Sequence, residues 1–364
     1  MSTTREQLDE ATRLFAHKQF EAASDLLADA LESLREEHGE DAPVLAPVLH
    51  QYGRALLEHV IRVAGALGGS SEIKGSKQES RIEDIDADTS SKSLGKRKAK
   101  DEEQDEEQDD GQGSDGEEEQ EEEEDGDDLG LAFIVLDLSR VIYERILGAN
   151  GSSSSAGEAH KPELRTLTDE LLDERALRIE LADVHNDLGD VGLENENFEQ
   201  ASSDYGEALK ILQDILPSHS RRLADAQLRL GLALEFHPEV ERRADAEKHV
   251  RLARTVLNTR ADILRKLSEG TTEDVPEELA KLSKEKVADE LKDVDELIGE
   301  LNVKLEEFRT APPTTAHDAA GKSVNPALEQ AIREAFLGVQ AEAFSRKPEQ
   351  PVNDLSTRVK KKRK

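Results

Sequence analysis

LADVHNDLGDVGLENENFEQASSDYGEAL, residues 181–209, is the stretch that decides the fold. It places Leu188 and Gly189 in the first half, Ala201 twelve positions after the glycine, and Tyr205 and Ala208 four and seven positions beyond that. Small residues let two antiparallel helices approach closely, and a large side chain fills the space between them. The stretch therefore predicts a helix, a short turn and a second helix.

The same spacing recurs on both sides of this stretch. The next copy has Leu230 and Gly231, then a turn three residues longer, then Ala246, Val250 and Ala253. The first copy, near the N-terminus, has Ala11, Ala23, Leu27 and Ala30 in the matching places. Repeated helical hairpins bury their apolar faces by stacking on one another. With one further, interrupted copy, the sequence predicts an all-α solenoid of four helix-turn-helix repeats.

The interrupted copy is the second repeat. Tyr52 and Gly53 open it within QYGRALLE, but no matching second helix follows. That helix appears only in LGLAFIVLDLSRVIYERIL, where Ala132, Leu136 and Ser139 have the expected spacing. Residues 1–67 are therefore predicted to hold the first repeat and the first helix of the second. Residues 68–128 are an insertion, and residues 129–148 supply the missing helix.

The insertion carries much of the negative charge of the chain. Residues 101–128 contain 19 Asp and Glu and no Lys or Arg, in a chain with a formal charge of −34. Like charges at this density repel, so the tract is predicted to be disordered, to attract basic proteins and to avoid direct contact with nucleic acids and membranes. A solubilising loop without a partner is the simpler alternative. The expected contact residues include Glu117, Glu118, Glu119, Glu121, Glu122, Glu123, Glu124 and Asp125.

The remaining segments differ in composition. Residues 149–162 are a predicted Ser-rich loop, residues 163–267 hold the third and fourth repeats, and residues 268–309 form a capping helix. Residues 310–364 are predicted to be a mostly disordered tail. The tail ends in a basic cluster of the kind that import receptors bind, which predicts a nuclear protein and leaves shuttling through the cytoplasm open. The cluster is Lys360, Lys361, Lys362, Arg363 and Lys364.

Several function classes are excluded by the sequence. The chain has no Cys, so disulfides and thiolate chemistry are absent. Its 10 His residues show no metal-ligand spacing, and neither a phosphate-binding loop nor a nucleophile elbow occurs. The sequence therefore predicts no catalytic residue, no metal site and no cofactor, and no apolar run approaches the length of a membrane span.

The repeats resemble tetratricopeptide repeats, and the split second repeat resembles one subfamily of them. That subfamily comprises the tetratricopeptide histone chaperones, including nuclear autoantigenic sperm protein and its fungal relatives. The matching segments are QYGRALLE, the acidic run, LAFIVLDLSRVIYER, LGDVGLENENFEQA and LRLGLALEF. The resemblance implies histone H3 as partner, alone or as the H3–H4 dimer, with the centromeric H3 variant as a further candidate. It also implies an import receptor as partner and a role in nuclear import, storage and chromatin assembly.

The first helices of such repeats line a concave groove that accepts a peptide. Counting from Gly189 and Gly231 predicts a largely acidic histone-binding groove over an apolar floor of Leu228 and Leu232. Solvated helix faces would place the same acids there without a ligand. A general tetratricopeptide adaptor in a nuclear complex is the main alternative, and a heat-shock co-chaperone, which needs inward Lys and Asn, is a weaker one. The predicted groove residues are Asp183, Asn186, Asp187, Asp190, Glu194, Asp225, Arg229, Glu235 and Phe236.

Overall fold

The computed structural model describes residues 2–66, 115–148, 162–270 and 275–310, which form an all-α solenoid. A 3₁₀ turn at Pro43–Leu45 precedes the third helix. The long helices pack on one another in chain order, and two short helices of four residues each lie in the connections between the last of them. The helices are α1 (Ser2–Ala16), α2 (Phe20–His38), α3 (Ala46–Ala66), α4 (Asp115–Gly148), α5 (Glu174–Glu194), α6 (Phe198–Ile215), α7 (Arg221–Glu235), α8 (Val240–Arg243), α9 (Ala246–Ser268), α10 (Glu277–Ala280) and α11 (Lys284–Thr310).

Helices α3 and α4 form one pair although they are far apart in sequence. A Cβ atom built on Gly53 would lie 2.5 Å from Leu136 Cγ, so the glycine is what allows this close approach. Near the other end of the contact, Ser139 Oγ donates a hydrogen bond to the carbonyl oxygen of Ala46 at 2.9 Å. Residue 53 meets residue 136 while residue 46 meets residue 139, so the two helices are antiparallel. The separated segments thus pair as their spacing predicts.

The uninterrupted repeats use the same kind of contact. A Cβ on Gly189 would lie 2.5 Å from Tyr205 Cε1, and a Cβ on Gly231 would lie 3.0 Å from Val250 Cγ2. Tyr205 and Val250 are fully buried. Each glycine of a first helix therefore faces the large residue that the sequence pattern assigns to the second helix.

The capping region packs on the last repeat but is not one helix. Val294, Leu301 and Phe308 of α11 are buried in the same apolar cluster as Leu257 and Leu264 of α9. The sequence predicts one capping helix over residues 268–309, whereas the structure has α10, a turn and then α11 in this segment. The prediction was wrong because Ser283 caps a new helix: its Oγ accepts from the backbone N–H of Lys286 at 3.3 Å.

The described part of the acidic tract, which the sequence predicts to be disordered, has a helical backbone. Helix α4 begins at Asp115, so its backbone is helical well before the apolar segment at Leu129. Two physical effects offset the repulsion between like charges. Glu has a good intrinsic helix propensity, and carboxylates are favourable in the first turn of a helix. The packed segment that follows also removes the cost of nucleating a separate helix.

Two further points concern segments around the repeats. Residues 163–173 begin the predicted third repeat but form an antiparallel hairpin, β1 (Leu164–Arg165) with β2 (Leu171–Leu172). Leu164 and Leu172 are buried against the helices, which accounts for this departure from helix. Residues 149–161 of the predicted Ser-rich loop (149–162), residues 68–114 of the predicted insertion (68–128) and residues 311–364 of the tail, with its basic cluster, lie outside the described residues. Among the helices that the structure describes, none has the length and apolar character of a membrane span.

Candidate functional site

The inward face of α5 carries four of the predicted groove residues. Asp173 starts this helix by accepting a hydrogen bond from the backbone N–H of Ala176 at 2.8 Å. The helical period then places Asp183, Asn186, Asp187 and Asp190 on one side. Asn186, Asp187 and Asp190 are buried, and Asp183 is half-buried. Glu194 lies half-buried in the last turn of the same helix.

Helix α3 meets this face with cations. His50 Nε2 lies 2.8 Å from Asp187 Oδ2, and His50 Nδ1 lies 3.5 Å from Glu180 Oε2. Arg54 Nε adds a contact of 3.7 Å to Asp187. Burial by itself lowers the pKa of His50, but hydrogen bonds and attraction from Asp187 and Glu180 outweigh it and raise the pKa to about 9. His50 is therefore an imidazolium at neutral pH, and it ties the second repeat to the third.

Arg229 of α7 is the centre of a second cluster. Its Nη1 donates to both oxygens of Asp190, at 2.7 and 2.8 Å, and its Nε donates to Asp225 Oδ2 at 3.0 Å. The hydroxyl of Tyr205 also donates to Asp190 at 2.6 Å, and the guanidinium lies 5.9 Å from the centre of that ring. Desolvation by itself lowers the pKa of Arg229, but the attraction of Asp190 and Asp225 outweighs it and raises the pKa above its ordinary value. Burial raises the pKa of Asp225, against the attraction of Arg229.

A third contact joins Arg222 to Asp183. The guanidinium of Arg222 donates to Asp183 Oδ1, linking α7 to α5. Burial raises the pKa of Asp183, while Arg222 acts in the opposite direction and the nearby carboxylate of Glu180 raises it further. The acids on this face are therefore close enough to repel one another. The cations from α3 and α7 are needed to hold them together.

The capping helix continues the network at the end of α7. Lys304 of α11 is almost fully buried, with its Nζ 2.8 Å from Glu235 Oε2 and 3.5 Å from Glu307 Oε2. Lysine is rarely buried without such partners. Phe236, the residue after α7, stacks on Phe198 with ring centres 5.1 Å apart. Its ring is thus part of the contact between the third and fourth repeats.

The inward face that the sequence predicts to be largely acidic also carries cations. Asp183, Asp187, Asp190 and Glu235 pair with cations from neighbouring helices, and Asp225 pairs with Arg229 of its own helix. Buried carboxylates keep their charge only when such partners compensate the loss of water. Acids still outnumber cations in these contacts, with Glu180, Asp183, Asp187, Asp190, Asp225, Glu235 and Glu307 against His50, Arg54, Arg222, Arg229 and Lys304.

One group on this face has no hydrogen-bond partner. Asn186 Oδ1 is buried and unpaired. A buried acceptor without a donor costs about 1–3 kcal/mol, so this oxygen favours a ligand or a water that donates to it.

On α7, Leu228 is buried and Leu232 is half-buried, as expected for the apolar floor. Within the described ranges, no group of three or more His, Asp or Glu could hold a metal ion.

Sequence reasoning missed His50, Arg54, Glu180, Arg222 and Lys304. A signal for two of them was present: His50 and Arg54 stand three before and one after Gly53, the offsets of Asn186 and Asp190 from Gly189. The shared register places all four on the inward face. Lys304 had no such signal, because the position of α11 depends on tertiary packing.

Comparison with known proteins gives a family model and several relatives. A model described as SHNi-TPR matches residues 182–219. NASP-related protein sim3 of Schizosaccharomyces pombe is 27% identical over 362 residues, covering 96% of this chain and 84% of that protein. Protein HGV2 of Halocynthia roretzi is 40% identical over 128 residues, 35% of this chain and 24% of that protein. Histone-binding protein N1/N2 of Xenopus laevis is 33% identical over 85 residues, 23% and 14% of the two chains. The chain thus matches less than two thirds of the length of HGV2 and of N1/N2.

Proposed function

We propose a function on the premise that this chain belongs to the tetratricopeptide-repeat histone chaperone family, which includes nuclear autoantigenic sperm protein and its fungal relatives. The protein is a non-enzymatic histone chaperone that binds H3, alone or with H4. It holds these histones during nuclear import and storage and transfers them to chromatin assembly. Lys360–Lys364 bind an import receptor, and the protein acts in the nucleus after passing through the cytoplasm.

The observation that carries this proposal is the intact second repeat. Gly53 and Leu136 pack as closely as the matching residues of the third repeat, although an acidic insertion separates them in sequence. The insertion therefore leaves the scaffold complete and adds negative charge to the same repeat. A polyanion competes for the Lys and Arg surfaces that histones otherwise present to DNA. Many weak, salt-sensitive contacts of this kind increase affinity without selecting one histone.

We assign the selection of H3 among basic proteins to the groove. Its acids are fixed by His50, Arg54, Arg222 and Arg229, so they hold a rigid, net negative surface. Asn186 Oδ1 supplies an unpaired buried acceptor at the middle of α5. A basic amphipathic helix would place apolar residues on the floor and donate to Asn186. The names of two relatives, which contain "NASP-related" and "histone-binding", support this proposal over a general adaptor.

The proposal is tested by sedimentation of the full chain at physiological ionic strength with recombinant H3–H4 and, separately, with the other core histone dimer, which contains neither H3 nor H4. A stoichiometric complex with H3–H4 and weaker association with the other dimer is expected. Equal binding of both dimers would contradict selection by the groove. The absence of any complex would contradict the function itself.

The groove is tested with Asn186→Leu, which removes the unpaired acceptor while keeping the number and branching of the side-chain heavy atoms. H3 affinity should fall by about tenfold, the effect of one lost buried hydrogen bond, while the melting temperature stays the same or rises. Asn258→Leu is the matched control, since Asn258 is exposed on α9. Unchanged H3 binding by Asn186→Leu would move the selective site elsewhere.

A further inference from the structure

A cleft lies between the second helices of two neighbouring repeats, outside the concave groove. It has a volume of about 400 Å³ and is bordered by α4 on one side and α6 on the other. Leu188 and His185 of α5 line it as well, and both are buried. A volume of this size accommodates a few side chains of a peptide ligand. The cleft belongs to the opposite face of α5 from Asp187 and Asp190.

The edge of the cleft formed by α4 exposes apolar surface. Phe133 lines the cleft and is 39% exposed, and its neighbour Ile134 is 53% exposed. An exposed aromatic side chain at the edge of a cleft offers apolar surface to a ligand. Aromatic residues at such positions frequently carry a large share of the binding energy of an interface. Phe133 is therefore the natural anchor for a ligand side chain.

The rim of the cleft is negatively charged. Asp137 and Glu144 share one cation, Arg140, at 2.7 and 2.8 Å, so this side keeps an excess of one carboxylate. Glu207 stands on the α6 side and contacts Lys210, whose ammonium is largely exposed. A ligand with Lys or Arg next to an apolar residue would complement both the rim and Phe133.

The floor of the cleft is a fixed polar pair. Asp204 Oδ1 lies 2.9 Å from His185 Nδ1, and Asp204 Oδ2 accepts from Gln200 Nε2 at 2.5 Å. Both carboxylate oxygens are engaged, and the residue is buried. These contacts hold α5 and α6 in place, so the cleft is a rigid feature of the third repeat. Rigid sites bind ligands at a lower entropic cost.

The helix that borders this cleft, α4, also contains part of the acidic tract. The same helix begins at Asp115 in the acidic tract and reaches Phe133 without a break. A basic segment attracted by the tract would therefore be concentrated close to the cleft. Phe133 lies on the same helix as part of the acidic tract. Leu252 and Val303, which are exposed apolar residues on α9 and α11, do not.

We infer that the cleft between α4 and α6 is a second docking site, and that its ligand is a basic peptide segment with an apolar anchor residue. Phe133 contacts the anchor, and Asp137, Glu144 and Glu207 contact the flanking cations. The site is independent of the concave groove and goes beyond the proposed function. A chain with both sites holds two separated segments of a basic partner at once.

The test uses the full chain and a fluorescent 18-residue peptide built from Leu and Lys at helical spacing, with binding measured by fluorescence anisotropy. Phe133→Ser combined with Glu207→Gln should weaken binding by about tenfold, as expected for the loss of an aromatic anchor. Val303→Ser with Glu306→Gln is the matched control, because Val303 is 52% exposed and Glu306 is an exposed partner of Arg309. The control should change the affinity by less than about twofold.

Location is tested independently by photo-crosslinking. Phe133→p-benzoylphenylalanine should form a covalent adduct with the peptide, whereas Val303→p-benzoylphenylalanine should not. Equal loss of affinity in the cleft and control variants, or no adduct at position 133, would overturn the inference. Peptide binding that is abolished by Asn186→Leu and unaffected at Phe133 would assign all binding to the groove and overturn it as well. Circular dichroism verifies that each variant stays folded.

Discussion

The second and third repeats have the same packing but very different connections. In the third, the turn between α5 and α6 covers only Asn195, Glu196 and Asn197. In the second, α3 ends at Ala66 and α4 begins at Asp115. Gly53 faces Leu136 in the split pair as Gly189 faces Tyr205 in the continuous one. The difference shows that complementary helix faces, and not a short turn, determine which helices pair.

Loop entropy explains why the split pair is tolerated. The cost of closing a loop grows only with the logarithm of its length, so each doubling costs about 0.6 kcal/mol. The buried contacts of α3 and α4 compensate such a cost. The insertion is therefore free to evolve its own composition, and in this chain it is acidic. The three-residue turn of the continuous pair leaves no room for such a segment. The acids of this pair lie on α5 and are held by cations from neighbouring helices.

The largest effect is expected where the continuous pair meets the fourth repeat, at the Arg229 cluster of α7. Arg229→Leu leaves Asp190 and Asp225 buried without their cation, and removing one partner of a buried ion pair costs about 3–5 kcal/mol. The free energy of unfolding, measured with urea, should fall by that amount.

Arg140→Leu is the control in the split pair. Arg140 also binds two carboxylates, but its partners Asp137 and Glu144 are partly exposed. Exposed pairs contribute about 0–1 kcal/mol. If the two variants lost equal stability, the Arg229 cluster would not be the stronger tie between repeats.

The next effect concerns the tie between the split and continuous pairs, His50. Its pKa of about 9 in the folded chain exceeds the ordinary value of 6.5. The protonated form is therefore stabilised by folding, which corresponds to roughly 3 kcal/mol below pH 6.5. This contribution is lost as the pH rises through 9. His50→Gln should lower the melting temperature strongly at pH 6 and little at pH 10.

His249→Gln provides the opposite case. Burial lowers the pKa of His249, and the nearby Lys248 lowers it further, so this imidazole is neutral in the folded chain above pH 6.5. Its replacement should give a constant difference in melting temperature from pH 7 to pH 10. A constant difference for His50→Gln over the same range would show that the imidazolium does not stabilise the fold.

A smaller effect is expected at the glycines that close the pairs. Gly189→Ala places a Cβ against the ring of Tyr205, which is buried and hydrogen-bonded to Asp190, so overpacking should cost about 1–3 kcal/mol. Gly53→Ala should cost a similar amount, because its Cβ would lie 2.5 Å from Cγ of Leu136, which is completely buried. Gly206→Ala has open space and should gain up to about 1 kcal/mol from helix propensity. Urea unfolding measures all three, and a reversed order would contradict the packing comparison.

The smallest effect on stability is expected in the insertion. Replacing the Asp and Glu of residues 101–125 by Asn and Gln keeps the length of the chain and the order of its segments. Because the repeat contacts described above involve none of these residues, the free energy of unfolding should change by less than about 0.5 kcal/mol. A large loss of stability in thermal unfolding would mean that the tract supports the scaffold.

The sequence predicts the repeat contacts well because glycine, alanine and one large residue encode them locally. Gly53, Leu136, Gly189 and Tyr205 were all assignable from spacing. Apart from Arg229, the cations of the groove were not predicted; Arg222 and Lys304, for example, reach the acids only through tertiary packing. Ser283 was likewise not recognised as a cap inside an apparently continuous apolar pattern. The predicted groove acids lie together, yet their burial depends on partners from other helices.

This difference changes how the groove is best probed. Reversing Asp187 or Asp190 to Lys would place a cation against His50 or Arg229 and unfold the region, so a loss of binding would have no clear meaning. Asn186 avoids this problem because its Oδ1 has no partner to lose. The same reasoning favours neutralising the acidic tract over deleting residues 101–128, since deletion would remove the first turns of α4.

The central claim is that two parts of the chain act differently on histones. The acidic insertion of the split repeat attracts basic proteins in general, and the groove selects H3–H4 among them. The most direct test measures the dissociation constant for H3–H4 at several ionic strengths around 0.1 M, where free charges are screened beyond about 10 Å. The full chain is compared with the variant neutralised at residues 101–125. The account predicts that neutralisation weakens binding at low salt and flattens its salt dependence, while the preference for H3–H4 over the other core histone dimer remains. An unchanged salt dependence, or loss of the preference together with the charge, would contradict it.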